Sequence, residues 1–153
     1  EYNINSINFL MAVAKVESNY GTNKNTYNNP NPNSSAFGTM QIIESQAMKE
    51  VQRMFLPDTK IGANIRSYNK KIIDKYGSDF DLSKMTIEDM RKPQHSAFMA
   101  RAYFLRVNAP IPSDKKEWGL YWLNNYKKPE EKNRTSETDK RDIDNFNRKN
   151  NIN

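Results

Sequence analysis

One carboxylate near the start of the chain stands apart from all the others. Glu17 lies at the end of an apolar, helix-like segment, and residues 18–43 contain no Asp or Glu, although the chain has 18 acidic residues. The polar stretch after Glu17 closes on the small-residue run Ser34-Ser35-Ala36-Phe37-Gly38. A carboxyl group held beside a polar loop and a tight turn can act as a general acid. The pattern therefore predicts a cleft with one proton donor, Glu17.

Other kinds of chemistry lack the residues that they need. The chain has neither of the glycine-rich phosphate-binding motifs, and it has no cysteine to form a disulfide or act as a thiolate. Its one histidine, His95, cannot form a zinc site alone, and no nucleophile-elbow motif accompanies it. We therefore expect neither a metal site nor a cofactor.

Helical periodicity places Glu17 at the C-terminal end of a first helix. Asn5 or Ser6 would cap that helix at its start. Its predicted core face is formed by Ile7, Leu10, Met11 and Ala14. Glu17 continues this face, so its side chain is predicted to point toward the core, where apolar neighbours and the helix dipole both disfavour the charged carboxylate. A carboxyl group in that position holds its proton more firmly, as a general acid requires.

The rest of the chain reads as helices separated by Pro, Gly and Asn. Further helices are predicted to begin near Glu44, at Asp58 or Thr59, and at Pro93, and another contains Trp118. Thr86 and Asp89 have the spacing of a capping box. Residues 19–35 contain seven asparagines, and at most a short β-hairpin is expected there. With no repeat and no βαβ alternation, the predicted fold class is mainly α, a compact helical domain.

Charge is distributed unevenly along the chain. The net charge is +6, and such a surface suits an acidic polymer, namely a nucleic acid, an anionic membrane or a cell-wall glycan, or it serves solubility alone. Residues 129–153 are so polar that they are predicted to form a charged helix or tail outside the core, which leaves residues 1–128 as the domain. No apolar run reaches the length of a membrane span, and no signal-peptide pattern is present. Because the chain begins at Glu1, we expect it to be part of a larger protein.

Two blocks of sequence resemble the lytic transglycosylases of the soluble, lysozyme-like type. Members of that family carry E-S-x-F and, after a polar loop, G-A-x-G-L-M-Q-L. This chain has E-S-N-Y from Glu17 and S-A-F-G-T-M-Q-I from Ser35, with a longer loop and a serine in place of the first glycine. The resemblance covers residues 4–128 and implies an α+β, lysozyme-like fold with Glu17 as the catalytic residue. It implies substrate binding by Ser18, Tyr20, Ser35, Ala36, Gly38, Met40 and Gln41.

Two of these residues have an expected role in the groove. Gly38 would allow a sugar to approach the backbone closely, because glycine has no Cβ. Gln41 would offer both a donor and an acceptor to an N-acetyl group.

The third block of the family, A-L-A-A-Y-N-A-G, is only echoed in residues 119–126. Asn124 falls on the asparagine of the family, but Leu123 stands where the family has a tyrosine. Tyr121 or Tyr126 could take the place of that tyrosine in space. Both are therefore candidate substrate-binding residues together with Asn124. Core packing is the more favoured role of the two tryptophans, Trp118 and Trp122.

The carboxylate-free stretch after Glu17 favours a mechanism with one acid. A glycoside hydrolase needs a second carboxylate, either to activate water or to attack the sugar. The resemblance implies instead that Glu17 protonates the β-1,4 bond between MurNAc and GlcNAc and then acts as a base, so that the product ends in 1,6-anhydroMurNAc. Peptidoglycan strands are then the expected partner, nucleic acid is not, and the expected location is a virion, such as a bacteriophage particle, or the cell wall or periplasm.

Two other functions remain open at this point. A muramidase, that is, a lysozyme-type hydrolase, could use a carboxylate outside the loop, for example Glu44 or Asp58. A non-catalytic module that binds wall glycan or nucleic acid would be consistent with the net charge and with the weak third block. The arginines are scattered along the chain, which disfavours nucleic acid.

Overall fold

The computed structural model describes residues 3–24, 26–27, 36–56, 58–107, 109–127 and 133–153. Within these ranges the chain forms six α-helices and one pair of short strands, so the predicted mainly α fold class is confirmed. The helices are α1 (Ile4–Ser18), α2 (Lys49–Arg53), α3 (Lys60–Tyr76), α4 (Pro93–Leu105), α5 (Trp118–Trp122) and α6 (Ser136–Lys149). The strands are β1 (Ala36–Phe37) and β2 (Ile42–Ile43). Across the described ranges, none of the helices has the length and apolar character needed to cross a membrane.

Local capping signals determine where several helices begin. Thr59 caps α3 by accepting a backbone N–H with its hydroxyl oxygen, and Pro93 is the first residue of α4. Thr86 and Asp89 form the predicted capping box, which opens the 3-10 turn Ile87–Arg91. These starts lie where the sequence predicts them because each depends only on residues within one helical turn.

The two short strands flank the glycine turn rather than the middle of the Asn-rich loop. β1 and β2 pair in antiparallel fashion, with Ala36 opposite Ile43. The turn between them is closed by the backbone N–H of Gln41, which donates to the Gly38 carbonyl at 2.9 Å. The short hairpin is therefore present, but it is centred on residues 38–41, and residues 28–35 lie outside the described part of the chain.

Two helical segments contain a π-helical turn. Glu44–Met48 connects β2 to α2, and Leu123–Lys127 continues α5. A π-helical turn accommodates one more residue than an α-helical turn and frequently occurs at functional sites. One of these turns follows the glycine turn directly, and the other follows Trp122.

The core-facing side of α1 differs from the predicted one. Ile7 and Met11 are 41% and 52% exposed, whereas Phe9 and Val13 are fully buried. Phe9 makes edge-to-face contacts with three other aromatic rings, those of Phe104, Trp118 and Tyr121. Because α1 is apolar around most of its circumference, helical spacing fits more than one face, and the ring of Phe9 decides between them. The predicted face is therefore wrong for Ile7 and Met11.

The charged C-terminal segment forms a helix, as predicted, but this helix contributes to the core. α6 packs against α1 and α5. Phe146 is fully buried, and its ring centroid lies 5.1 Å from that of Trp122. The expectation that this segment lies outside the core is therefore wrong, because one buried aromatic ring anchors an otherwise polar helix. The domain boundary expected at residue 128 falls outside the described residues and stays a prediction.

Candidate active site

Glu17 is held in place by an indole group. It is the penultimate residue of α1 and is half-buried, and its Oε1 accepts a hydrogen bond from Nε1 of Trp122 at 2.9 Å. Trp122 ends α5 and is only 1% exposed, so the position of its ring is set by the core. An indole N–H can only donate. Oε1 of Glu17 is therefore the acceptor of this hydrogen bond, and the rigid indole fixes its position.

Trp122 is a site residue that the sequence interpretation missed. Core packing is its expected role, and it does lie in the core, but its Nε1–H is directed at Glu17. A usable signal was present, because a buried indole N–H needs an acceptor. Trp118 finds one in the Pro112 carbonyl at 2.8 Å, whereas Trp122 finds one in the candidate catalytic residue. Leu123, at the position of the family's tyrosine, is fully buried.

Ser18 connects the end of α1 to the glycine turn. Its Oγ donates to the Thr39 carbonyl at 2.7 Å and accepts the Gly21 backbone N–H at 2.7 Å. The side chain is almost completely buried. Ser18 therefore fixes the helix end relative to the turn, and its burial leaves no surface for the direct substrate contact that the resemblance implied.

Three consecutive residues with positive φ reverse the chain after α1. Asn19, Tyr20 and Gly21 have φ values of 50°, 58° and 83°. Asparagine and glycine accept this region easily, but for other L-residues it costs about 1–2 kcal/mol. The backbone N–H of Tyr20 closes the end of α1 by donating to the Ala14 carbonyl at 3.1 Å, while its side chain is 46% exposed. Tyr20 thus has a strained backbone and an exposed aromatic ring three residues after Glu17. Such a ring is a candidate for stacking on a sugar.

Gly38 is required by a contact within the protein. Its φ is +76°, and a Cβ at this position would lie 2.0 Å from the carbonyl oxygen of Met90. Met90 belongs to the 3-10 turn Ile87–Arg91. The space beside this glycine is therefore occupied by the Met90 backbone. The expectation that a sugar approaches Gly38 there is wrong.

Met40 and Tyr126 form the support behind the glycine turn. The Met40 backbone N–H donates to Ser96 Oγ at 3.1 Å, and its carbonyl accepts the Tyr126 hydroxyl at 2.5 Å. These bonds tie the turn to α4 and to the π-helical turn that follows Trp122. The side chains of Met40 and Tyr126 are both about 1% exposed. Their burial contradicts the expectation that they contact the substrate directly.

Tyr121 is also a core residue. Its ring packs against Phe9 and Phe104, and its hydroxyl donates to the Ala109 carbonyl at 3.0 Å. Burial raises the pKa of the Tyr121 hydroxyl. This placement contradicts the expectation that Tyr121 lines the groove.

The remaining predicted site residues are at least partly accessible. Asn124 is exposed, and Ala36 and Gln41 are half-buried. Gln41 uses one amide N–H to bond the Gly38 carbonyl at 2.9 Å. Among the described residues its second N–H and its carbonyl oxygen make no hydrogen bond, so both groups can bond to a ligand. Ser35 lies outside the described residues.

Comparison of this chain with family models, with curated proteins and with solved structures found no match. The likeness to lytic transglycosylases therefore rests on the two sequence blocks, and the assignment of a function rests on the geometry of the site. The observations that bear on it are the Glu17–Trp122 hydrogen bond, the exposed ring of Tyr20 and the half-buried amide of Gln41.

Proposed function

We propose that this chain is a peptidoglycan lytic transglycosylase that uses Glu17 first as a general acid and then as a base. The observation that carries the proposal is the hydrogen bond from Trp122 to Glu17 at 2.9 Å. A half-buried carboxyl group with one oxygen held by a rigid donor presents its other oxygen in a defined direction. General acid catalysis requires such a fixed geometry toward the leaving oxygen.

The proposed reaction begins when the Glu17 carboxyl group transfers its proton to the oxygen of the MurNAc–GlcNAc β-1,4 bond. The bond between that oxygen and C1 of MurNAc then breaks, and the N-acetyl carbonyl oxygen of the same sugar stabilises the cationic C1. Glu17, now a carboxylate, takes the proton from the C6 hydroxyl while O6 bonds to C1. Glu17 is thereby protonated again, no water is consumed, and the product ends in 1,6-anhydroMurNAc.

Two groups that are at least partly accessible, on Tyr20 and Gln41, support a glycan substrate. The exposed ring of Tyr20 offers a surface on which a sugar can stack, and the Gln41 amide offers bonds to an N-acetyl group. Nζ of Lys127 lies 6.0 Å from the centroid of the Trp122 ring. A positive charge there suits peptidoglycan, which carries carboxylates. The site of action is then the cell wall, reached from a virion or from the cell's own envelope.

The muramidase alternative depends on a second carboxylate, and the two candidates for that role differ in exposure. Asp58 is fully exposed, and its nearest recorded ion-pair partner is Arg66 at 3.7 Å. Glu44 is half-buried and follows β2 directly, at the start of a π-helical turn. Glu44 is therefore the residue to test as the activator of water.

Several arginines have partners within the protein, which disfavours the nucleic-acid-binding alternative. Arg134 is paired with Asp139 and Asp142 at 2.8 and 2.5 Å, and Arg91 is paired with Glu88 at 2.7 Å. A nucleic-acid surface needs such groups directed outward to phosphate.

Mass spectrometry of the fragments released from purified peptidoglycan tests the proposal. The parent protein is expected to release anhydro ends, Glu17→Gln is expected to release no fragments, and Glu44→Gln is expected to behave as the parent does. Reducing ends that are one water heavier, together with loss of activity in Glu44→Gln, would establish a hydrolase instead. If the parent releases nothing but sediments with the wall, the chain is a binding module.

A further inference from the structure

The last helix of the chain contacts the catalytic helix next to Glu17. Nζ of Lys149, the final residue of α6, donates to the Val16 carbonyl at 3.0 Å. Asn150 extends the contact by donating to the Ala12 carbonyl at 3.3 Å. Carbonyls in the last turn of a helix have no partner within that helix. The Lys149 ammonium therefore satisfies one of these carbonyls, and its charge complements the negative end of the helix dipole.

The same helix also determines where Trp122 lies. The fully buried ring of Phe146 packs on the Trp122 ring, with 5.1 Å between the ring centroids. α6 approaches α5 so closely that a Cβ on Gly119 would lie 2.9 Å from Asn147 Oδ1 and 3.3 Å from Ile143 Cγ2. Both halves of the Glu17–Trp122 hydrogen bond are thus supported by α6, one through α1 and the other through α5.

We propose that α6 is a positioning element of the active site, with Phe146 fixing the Trp122 indole and Lys149 fixing the end of α1, so that the Glu17 carboxyl is correctly aimed. The inference rests on the proposed role of Glu17 as the general acid. α6 lies beyond residue 128, where the resemblance to transglycosylases ends, so it supplies support that the two sequence blocks do not contain.

The Trp122 indole N–H is a direct probe of this arrangement. The chain has only two tryptophans, so a ¹H–¹⁵N spectrum contains two indole signals, and the signal lost in Trp122→Phe identifies the one that bonds to Glu17. The Trp122 signal is expected to shift with pH as Glu17 ionises. In Glu17→Gln the hydrogen bond can remain but the titration is expected to disappear, since the amide has no proton to lose.

Lys149→Met tests the positioning role, with Lys140→Met as the matched control. Both changes remove one positive charge from α6 and leave an unbranched side chain, but Lys140 is exposed and has no recorded partner in the described part of the chain. Lys149→Met is expected to shift the Trp122 indole signal and to lower kcat by about tenfold to a hundredfold, with KM within about twofold of the parent. Phe146→Leu keeps an apolar side chain in the core. Like Lys149→Met, it is expected to shift the Trp122 indole signal and to lower kcat.

The two proposals fail in different ways. If Lys149→Met and Phe146→Leu both keep the parental indole signal and kcat while folding normally by circular dichroism, α6 does not position Glu17. If the parent does not cleave peptidoglycan, the proposed function is wrong. The indole spectra of Lys149→Met and Lys140→Met then still decide whether α6 fixes the Glu17–Trp122 pair.

Discussion

Replacing Gly38 by alanine tests how closely the glycine turn packs against the Met90 carbonyl. The left-handed φ of +76° costs an alanine about 1–2 kcal/mol. The new Cβ would lie 2.0 Å from the oxygen and 2.9 Å from the carbon of the Met90 carbonyl, which is backbone and cannot rotate away. Overpacking of this kind adds about 1–3 kcal/mol. We therefore expect Gly38→Ala to lower the free energy of unfolding by about 2–5 kcal/mol, a large part of the ~5–15 kcal/mol of a typical domain.

Gly77→Ala provides the matched control for this measurement. Gly77 also has a positive φ, of +99°, but a Cβ there would meet no atom within 4 Å. Its replacement is expected to cost only the backbone strain, about 1–3 kcal/mol. Urea denaturation of both variants, followed by circular dichroism, gives the two free energies. If Gly38→Ala is no more destabilised than Gly77→Ala, the contact with Met90 does not explain the glycine.

Three further substitutions test the capping box, the strained turn and the indole. The Thr86 backbone N–H and hydroxyl both donate to Asp89, which holds the pKa of its carboxyl below its usual value. Asp89→Ala should therefore cost about 1 kcal/mol at neutral pH. Urea titrations should show this difference begin to shrink below about pH 3.9, where the carboxyl of the unfolded parent takes up a proton, and disappear only below the lowered pKa of the folded carboxyl, where the native carboxylate is protonated too. Tyr20→Asn should leave the free energy of unfolding equal or raise it by up to about 1 kcal/mol, because asparagine accepts a positive φ more easily than tyrosine. KM should rise because the ring is lost, and an unchanged KM would exclude stacking by this ring. Trp122→Phe keeps a ring but removes the donor to Glu17, a bond worth about 1.5–3 kcal/mol, so kcat/KM should fall by roughly tenfold to a hundredfold; unaltered steady-state kinetics would contradict the role of the indole.

Features that depend on neighbouring residues were predictable from the sequence. The cap at Thr59, the proline that opens α4 and the capping box at Thr86 each involve residues within one helical turn, so tertiary packing hardly alters them. The position of Glu17 near the end of α1 follows from the same local pattern. These signals suffice for the mainly α class and for the location of one carboxyl group.

Features that depend on distant residues were not predictable in the same way. The face of α1 is chosen by Phe9, whose partners lie about a hundred residues further along the chain, in α4 and α5. The burial of Phe146, in α6, likewise depends on a residue of another helix, Trp122 in α5. Helical periodicity reports which residues share a face, but it does not report which neighbour that face meets.

The candidate site shows the same division. The sequence indicates that position 38 needs a residue without a side chain, but only the structure shows that the Met90 carbonyl fills the space. The resemblance offers Tyr121 or Tyr126 in place of the family's tyrosine, whereas the structure shows a hydrogen bond from Trp122 to the Glu17 carboxyl group. A family motif transfers residue types along the chain, whereas hydrogen-bond partners are set by how helices pack.

The support that α6 gives to α1 has a consequence for the order of folding. The hydrogen bond between Lys149 and Val16 closes a separation of 133 residues, and that between Trp122 and Glu17 closes one of 105. Contacts between such distant positions form late, because the entropy of loop closure has to be overcome first. During synthesis the acid-bearing helix emerges long before either partner does. Glu17 is therefore present but not yet positioned while residues 18–149 are being synthesised, and the site is completed only when α6 docks.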